Sequence, residues 1–198
     1  MNENLIRLEQ YAREHNIPVL LDDTRDLLVA TVRTLNPSRI LEIGTAVGYS
    51  GTLMLTNSES KLVTIELNES NYNIATTTFA TNGLSDRVTQ ILADARCAIE
   101  DLCNSNERFD FIFLDGPKGQ YIKYLPYLVE LLEVGGTIFA DNVLYRGMVE
   151  STEFIPHKKR TIVVNLRKYI NEVTNPDKFD TIIHRVGDGV AISKLLKK

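Results

Sequence analysis

The chain has few cysteines and no long apolar run, and these two features exclude several classes of protein. Two cysteines, Cys97 and Cys103, in 198 residues do not make a disulfide framework. Without neighbouring histidines they do not indicate a zinc site either. No apolar run approaches the roughly 20 residues that cross a bilayer, and no basic stretch followed by an apolar one opens the chain. We therefore predict a cytoplasmic protein with two free thiols and no membrane partner.

Charge is unevenly distributed along the chain. Apolar residues make up 43% and charged residues 24%, which is typical of a globular protein. The formal net charge is −4, yet residues 141–198 contain 11 basic and 7 acidic side chains, a net charge of +4. We do not expect an acidic chain to be a general DNA-binding protein. Its basic C-terminal part could still contact an anionic substrate, or could be a solvated helix face.

Short apolar segments alternate with amphipathic ones, which predicts an α/β fold. We expect one domain over 1–198, with N-terminal helices in 1–36 and a doubly wound core in 37–198. Its sheet is expected to have seven mostly parallel strands and an antiparallel C-terminal edge hairpin. The predicted strands are 39–43, 61–66, 88–92, 109–114, 137–140, 179–184 and 190–194. The predicted helices are 2–15, 22–35, 48–56, 69–80, 94–103, 119–132 and 157–173.

Polar residues follow the first three predicted strands. Gly44 would let the backbone turn sharply, and Gly48 would let a ligand approach the next helix. Glu66 ends the second strand about 20 residues later, where an acidic residue can accept hydrogen bonds from a ribose. Asp94 follows the third strand and could contact an adenine, although it is also a good N-cap. Together these positions predict an adenosine pocket; an unliganded turn and an exposed glutamate are the alternatives.

A second polar group follows the next two strands. Asp115 comes after an apolar strand, and Asp141 and Asn142 come after its predicted neighbour. Two carboxylates and an amide oxygen suit Mg²⁺, which prefers oxygen ligands. Capping roles for the two aspartates are the alternative. Lys118 lies three residues after Asp115; repulsion by a bound dication would favour its neutral amine, a general base, whereas alone it would be a surface lysine.

These turns and strand ends belong to five segments, which are Leu41–Ser50, Thr64–Asn68, Phe113–Lys118, Ala140–Val143 and Gly187–Gly189. In this order they resemble the cation-dependent O-methyltransferases. That family includes catechol and caffeoyl-CoA methyltransferases and bacterial enzymes that methylate 5-hydroxyuridine in tRNA. The likeness covers about residues 20–195, and the combination is more specific than any one segment.

The resemblance implies a Rossmann-like class I methyltransferase fold, S-adenosylmethionine as methyl donor, and a homodimer. Gly44 and Ser50 would hold the methionine part of the donor, Glu66 its ribose, and Asp94 and Ala95 its adenine. The complete implied donor set is Glu42, Gly44, Thr45, Gly48, Ser50, Glu66, Asp94, Ala95 and Asp115. The resemblance also implies Mg²⁺ or another divalent cation on Asp115, Asp141 and Asn142, with Lys118 as the base.

The chain departs from the catechol enzymes in three places. It has no tryptophan, Gly116 and Pro117 replace a bulky pair, and the apolar segment Thr181–Ile183 stands where those enzymes have a substrate-binding glutamate. These departures leave the donor and metal residues intact. They disfavour a small catechol as the methyl acceptor.

The basic segment after the predicted metal strand favours a nucleic-acid acceptor. Arg160 and Arg167 are seven residues apart and would share one helix face, with Arg146 in the preceding loop. This face could contact the phosphates of tRNA or of a CoA ester. We therefore expect tRNA 5-hydroxyuridine as acceptor, with a catechol-like or CoA-linked phenol as the alternative. A non-catalytic donor-binding module and a Rossmann dehydrogenase fit the polar residues and the glycine spacing less well.

Overall fold

A computed structural model describes residues 3–198, which form seven helices and seven strands together with two short 3-10 turns. The helices are α1 Glu3–Glu14, α2 Asp22–Leu35, α3 Tyr49–Thr56, α4 Glu69–Thr81, α5 Ala95–Asn104, α6 Tyr121–Leu131 and α7 His157–Val173. The strands are β1 Arg39–Ile43, β2 Lys61–Glu66, β3 Val88–Leu92, β4 Phe109–Leu114, β5 Leu132–Ala140, β6 Phe179–His184 and β7 Val190–Leu195. The chain divides into two compact units that meet in sequence at residues 98 and 99.

The first unit contains three parallel strands in the order β3-β2-β1. The central strand β2 pairs with β1 from Arg39 opposite Lys61 and with β3 from Leu62 opposite Val88. Strand β1 is buried after its first residue, as expected for a parallel strand covered on both faces. Because all three strands run the same way, the polar residues that follow them collect at one edge of this sheet.

The second unit contains the strands β4-β5-β7-β6 in that order. Strands β4 and β5 are parallel, whereas β7 is antiparallel to both β5 and β6. Phenylalanine rings pack across the parallel pair, with the Phe113 and Phe139 centroids 5.7 Å apart. Leu114 and Ala140 are register partners at the ends of β4 and β5. The residues that follow them, Asp115 and Asp141, therefore leave neighbouring strand ends.

The fold class predicted from the sequence is confirmed: the seven strands form a mixed, mostly parallel sheet with an antiparallel C-terminal hairpin. The largest departures from the predicted boundaries are at β5 and α6. Strand β5 begins at Leu132, five residues early, and the helix expected over 119–132 begins as a 3-10 turn at Lys118–Gln120. Within residues 3–198 no helix combines the length and apolar character needed to cross a bilayer. The single-domain boundaries stay a prediction.

Candidate functional site

The turn after β1 is closed by the Glu66 carboxylate. Glu66 Oε2 accepts a hydrogen bond from the Ala46 amide at 2.8 Å. Its Oε1 accepts from the amides of Leu67 at 2.9 Å and Asn68 at 2.8 Å. Gly44 adopts φ 102°, a left-handed value that glycine tolerates best. Glu66 thus holds the turn in shape, a role the sequence did not reveal, and its predicted role toward a ribose stays a prediction.

A buried polar network lies beside this turn. Glu42 is fully buried and accepts hydrogen bonds from Ser50 Oγ at 2.5 Å and Thr64 Oγ1 at 2.6 Å. Thr45 Oγ1 lies 2.5 Å from Thr64 Oγ1. Since the Thr64 hydrogen goes to Glu42, Thr45 must be the donor in that pair. Three residues of the predicted donor set are therefore brought together, and Thr64 is a member that sequence reasoning missed.

Gly48 serves packing in this structure. Its φ is 82°, and an added Cβ would approach the backbone of Ala75 at 3.3 Å and the Phe79 ring at 3.2 Å. An added side chain at Gly48 would therefore meet α4, and the expected approach of a ligand to this glycine stays a prediction. Asp94 is exposed, and its Oδ1 caps α5 by accepting from the Arg96 amide at 2.9 Å. The capping alternative for Asp94 is thus observed; Ala95 begins the same helix.

Asp115, Lys118 and Asp141 come together at the ends of β4 and β5. Lys118 Nζ donates a hydrogen bond to Asp115 Oδ1. Asp141 is only 4% exposed, and its Oδ1 accepts from the Asn142 amide at 2.7 Å. Burial and the Asp115 carboxylate raise the pKa of Asp141 to about 7, and the ammonium of Lys118 opposes this shift. The two carboxylates therefore repel each other, and the Lys118 ammonium offsets this repulsion only in part.

This arrangement fits a divalent cation. Its possible ligands are oxygens, the atoms that Mg²⁺ prefers, and a cation would stabilise the buried Asp141 carboxylate that its surroundings destabilise. Asn142 has φ 57°, a left-handed value that asparagine tolerates better than most residues. Among residues 3–198 no group of three or more histidine, cysteine, aspartate or glutamate side chains could hold a metal ion. The predicted ligand set has two carboxylates and one amide, so it is not a group of three such side chains.

The raised pKa of Asp141 predicts how the metal-free protein responds to pH. The folded chain retains a proton that the unfolded chain releases above pH 3.8, so stability falls as pH rises from 3.8 to about 7. This contribution is about 4 kcal/mol. We expect Asp141→Asn to flatten the loss, as measured by urea unfolding in EDTA at pH 5 and pH 8. Equal pH dependence in variant and wild type would contradict this origin.

The basic residues after β5 differ in their surroundings. Arg146 and Arg160 are exposed. Arg167 Nε donates to the Val149 carbonyl at 2.8 Å, and its Nη2 donates to the Ser151 carbonyl at 2.7 Å. Arg167 therefore ties α7 to the loop that follows β5. Arg167 is exposed as Arg160 is, but its guanidinium donates to backbone carbonyls of that loop.

Asp188 and Tyr121 also belong to the surroundings of Asp141. The Asp188 carboxylate further raises the pKa of Asp141, and the Leu144 amide donates to the Asp188 carbonyl at 2.9 Å. The Tyr121 hydroxyl lies 3.1 Å from the Asp141 carbonyl oxygen. Sequence reasoning singled out Asp188 only as part of the segment Gly187–Gly189. Tyr121 is fully buried.

Comparison with known proteins gives one consistent result. The sequence profile of the O-methyltransferase family matches residues 4–196. A caffeoyl-CoA O-methyltransferase of Stellaria longipes is 29% identical over 85% of this chain and 72% of that protein. A Staphylococcus aureus structure with the provisional name caffeoyl-CoA O-methyltransferase has 30% identity and a TM-score of 0.88, covering 98% and 93% of the two chains. A Bacillus cereus O-methyltransferase in complex with SAH has 25% identity and a TM-score of 0.86, covering 98% and 91%.

Proposed function

Because this chain belongs to the O-methyltransferase family, we propose that it transfers a methyl group from S-adenosylmethionine to a hydroxyl beside a divalent cation. The observation that supports the cation is the buried Asp141 carboxylate beside Asp115. A bound cation would stabilise the negative charge of these two carboxylates. The Bacillus cereus relative in complex with SAH supports the donor. We assign the donor to the residues within 42–95 identified above, together with Asp115.

We assign the cation, with Mg²⁺ preferred, to Asp115, Asp141 and Asn142. When bound there, the cation would act as a Lewis acid that lowers the pKa of the acceptor hydroxyl. Lys118 would take the hydroxyl proton on Nζ once its amine is neutral. The acceptor oxygen would then form a bond to the methyl carbon as the bond from carbon to the donor sulfur breaks. SAH and the methyl ether are the products, and the proton remains on Lys118.

For the acceptor we propose 5-hydroxyuridine in tRNA. Its hydroxyl lies next to a carbonyl oxygen, so both oxygens can face one cation. The exposed cations after β5, Arg146 and Arg160, support a polyanionic acceptor. A CoA-linked phenol is the second candidate, which the names of the curated relatives favour. We also propose a homodimer, which light scattering of the purified protein would test.

Methyl transfer from radiolabelled S-adenosylmethionine tests these proposals. The acceptors are tRNA containing 5-hydroxyuridine, caffeoyl-CoA and 3,4-dihydroxybenzoate, each with Mg²⁺ and with EDTA. Label in tRNA that requires Mg²⁺ supports the first acceptor, and label only in caffeoyl-CoA replaces it by the second. Equal transfer in EDTA would contradict the assignment of a cation.

Arg160→Glu is expected to weaken tRNA binding without unfolding the chain, because Arg160 is exposed on α7. One lost phosphate contact should reduce the slope of log affinity against log salt by about 1. The matched control is Lys197→Glu, the same charge change at an exposed position near the C-terminus. Filter binding over a salt series gives both slopes. Identical slopes for the two variants would remove Arg160 from the RNA-binding surface.

A further inference from the structure

Tyr121 connects the ends of the two strands that precede the proposed metal ligands. Its hydroxyl oxygen lies 3.0 Å from the Leu114 carbonyl oxygen and 3.1 Å from the Asp141 carbonyl oxygen. A phenol has one hydrogen, so it donates to both carbonyls in a shared or alternating bond. The Asp141 amide also donates to the Leu114 carbonyl at 3.1 Å. Two hydrogen bonds thus converge on the carbonyl that directly precedes Asp115.

The same residue also belongs to the segment that contains the proposed base. Tyr121 is the first residue of α6, three residues after Lys118. The Lys118 ammonium lies 5.7 Å from the centroid of the Tyr121 ring. The phenol therefore ties the beginning of α6 to the strand ends that lead into Asp115 and Asp141.

The surroundings keep the Tyr121 side chain in one place and in one protonation state. The side chain is fully buried, and its ring meets the ring of Tyr169 edge-on, with centroids 5.6 Å apart. Burial and the Asp115 and Asp141 carboxylates raise the pKa of Tyr121 well above its usual value. The hydroxyl consequently remains a hydrogen-bond donor throughout the pH range in which an enzyme works.

We propose that Tyr121 is a positioning residue of the metal site, which holds Asp115 and Asp141 at the separation that a divalent cation requires. The proposal rests on the function proposed above. Hydrogen bonds to the groups that carry metal ligands orient those ligands before the metal binds. Tyr121 acts through backbone carbonyls and contacts neither donor nor acceptor in this assignment.

Tyr121→Phe tests the proposal, and Tyr169→Phe is a matched control. Both variants remove one buried phenolic oxygen from adjacent rings. Among residues 3–198, however, the Tyr169 hydroxyl has no hydrogen-bond partner, so its loss breaks no hydrogen bond there. The affinity for Mn²⁺ is measured by electron paramagnetic resonance of the free ion, and the affinity for SAH by calorimetry on the same samples. We expect Tyr121→Phe to weaken Mn²⁺ binding about tenfold and both variants to bind SAH as the wild type does.

Four results would overturn the proposal. Tyr121→Phe could bind Mn²⁺ as tightly as the wild type, or both Tyr→Phe variants could weaken it equally. Tyr121→Phe could also weaken Mn²⁺ and SAH in parallel or fail to fold, which would assign the phenol to general stability. A wild-type chain that binds no Mn²⁺ would instead contradict the proposed function itself, so the two failures are distinguishable.

Discussion

Replacing Asp141 by asparagine is expected to lower the rate of methyl transfer by about 100-fold or more, because it removes half of the negative charge that we assign to the cation. Loss of a Lewis acid costs several kcal/mol of transition-state stabilisation, and each 1.36 kcal/mol is about a tenfold change in rate. Asparagine retains the size of the side chain and an oxygen that can accept from the Asn142 amide. The variant therefore removes charge with little change in packing.

Two measurements separate this effect from unfolding. SAH affinity, measured by calorimetry, should stay near the wild-type value, and Mn²⁺ affinity should fall. Asp180→Asn is the matched control, since Asp180 is an exposed carboxylate on β6 in the same unit. We expect that control to retain full activity and metal affinity. Full activity of Asp141→Asn in EDTA would contradict the metal assignment.

Lys118→Ala and Lys118→Arg should both slow the chemical step, by about 10²–10⁴-fold if Lys118 is the general base. Arginine retains the positive charge and can still donate to Asp115, but it does not give up its proton in proteins. A purely electrostatic lysine would therefore be rescued by arginine, whereas a base would not. Single-turnover kinetics with preformed donor complex measures this step directly.

The controls for Lys118 follow from its ion pair with Asp115. Removing the ammonium frees the Asp115 carboxylate, so Lys118→Ala should bind Mn²⁺ at least as tightly as the wild type. Lys123→Ala, at an exposed position on α6, should change neither rate nor metal affinity. An unchanged single-turnover rate in Lys118→Ala would remove this residue from the mechanism.

Local pattern was enough to predict most of the fold. Apolar periodicity predicted the observed bounds of several elements, which are α2, α7, β1 to β4 and β6. Each of them has either a helical or a strand periodicity throughout, with clear signals at both ends. Strand β5 was predicted too short. Gly135 and Gly136 directly precede its predicted start, yet both lie within the strand, near the register shift between Phe109 and Phe111. A glycine pair does not reveal whether a partner strand continues past it.

The sequence identified the chemical groups of the candidate site better than the hydrogen bonds that hold them in place. Residue type and strand-end position sufficed to single out Asp115, Asp141 and Lys118, which the structure brings together. The bonds from Tyr121 to two carbonyls and from Arg167 to the loop connect residues far apart in sequence, so no local pattern contains them. The three backbone partners of Glu66 were missed because a carboxylate at a strand end gives no sign of which amides it will face.

Asn142 has a consequence for anyone who would transplant this site into another protein. It is a proposed ligand, and its backbone also occupies a left-handed conformation at φ 57°, followed soon by Tyr145 at 44° and Arg146 at 56°. Grafting the three ligand side chains onto a scaffold with ordinary strand-to-helix loops would place the amide oxygen wrongly. A transplanted site therefore needs the Asn142 side chain together with its left-handed backbone angle. A β-branched replacement at 142 would remove the amide oxygen and disfavour that angle.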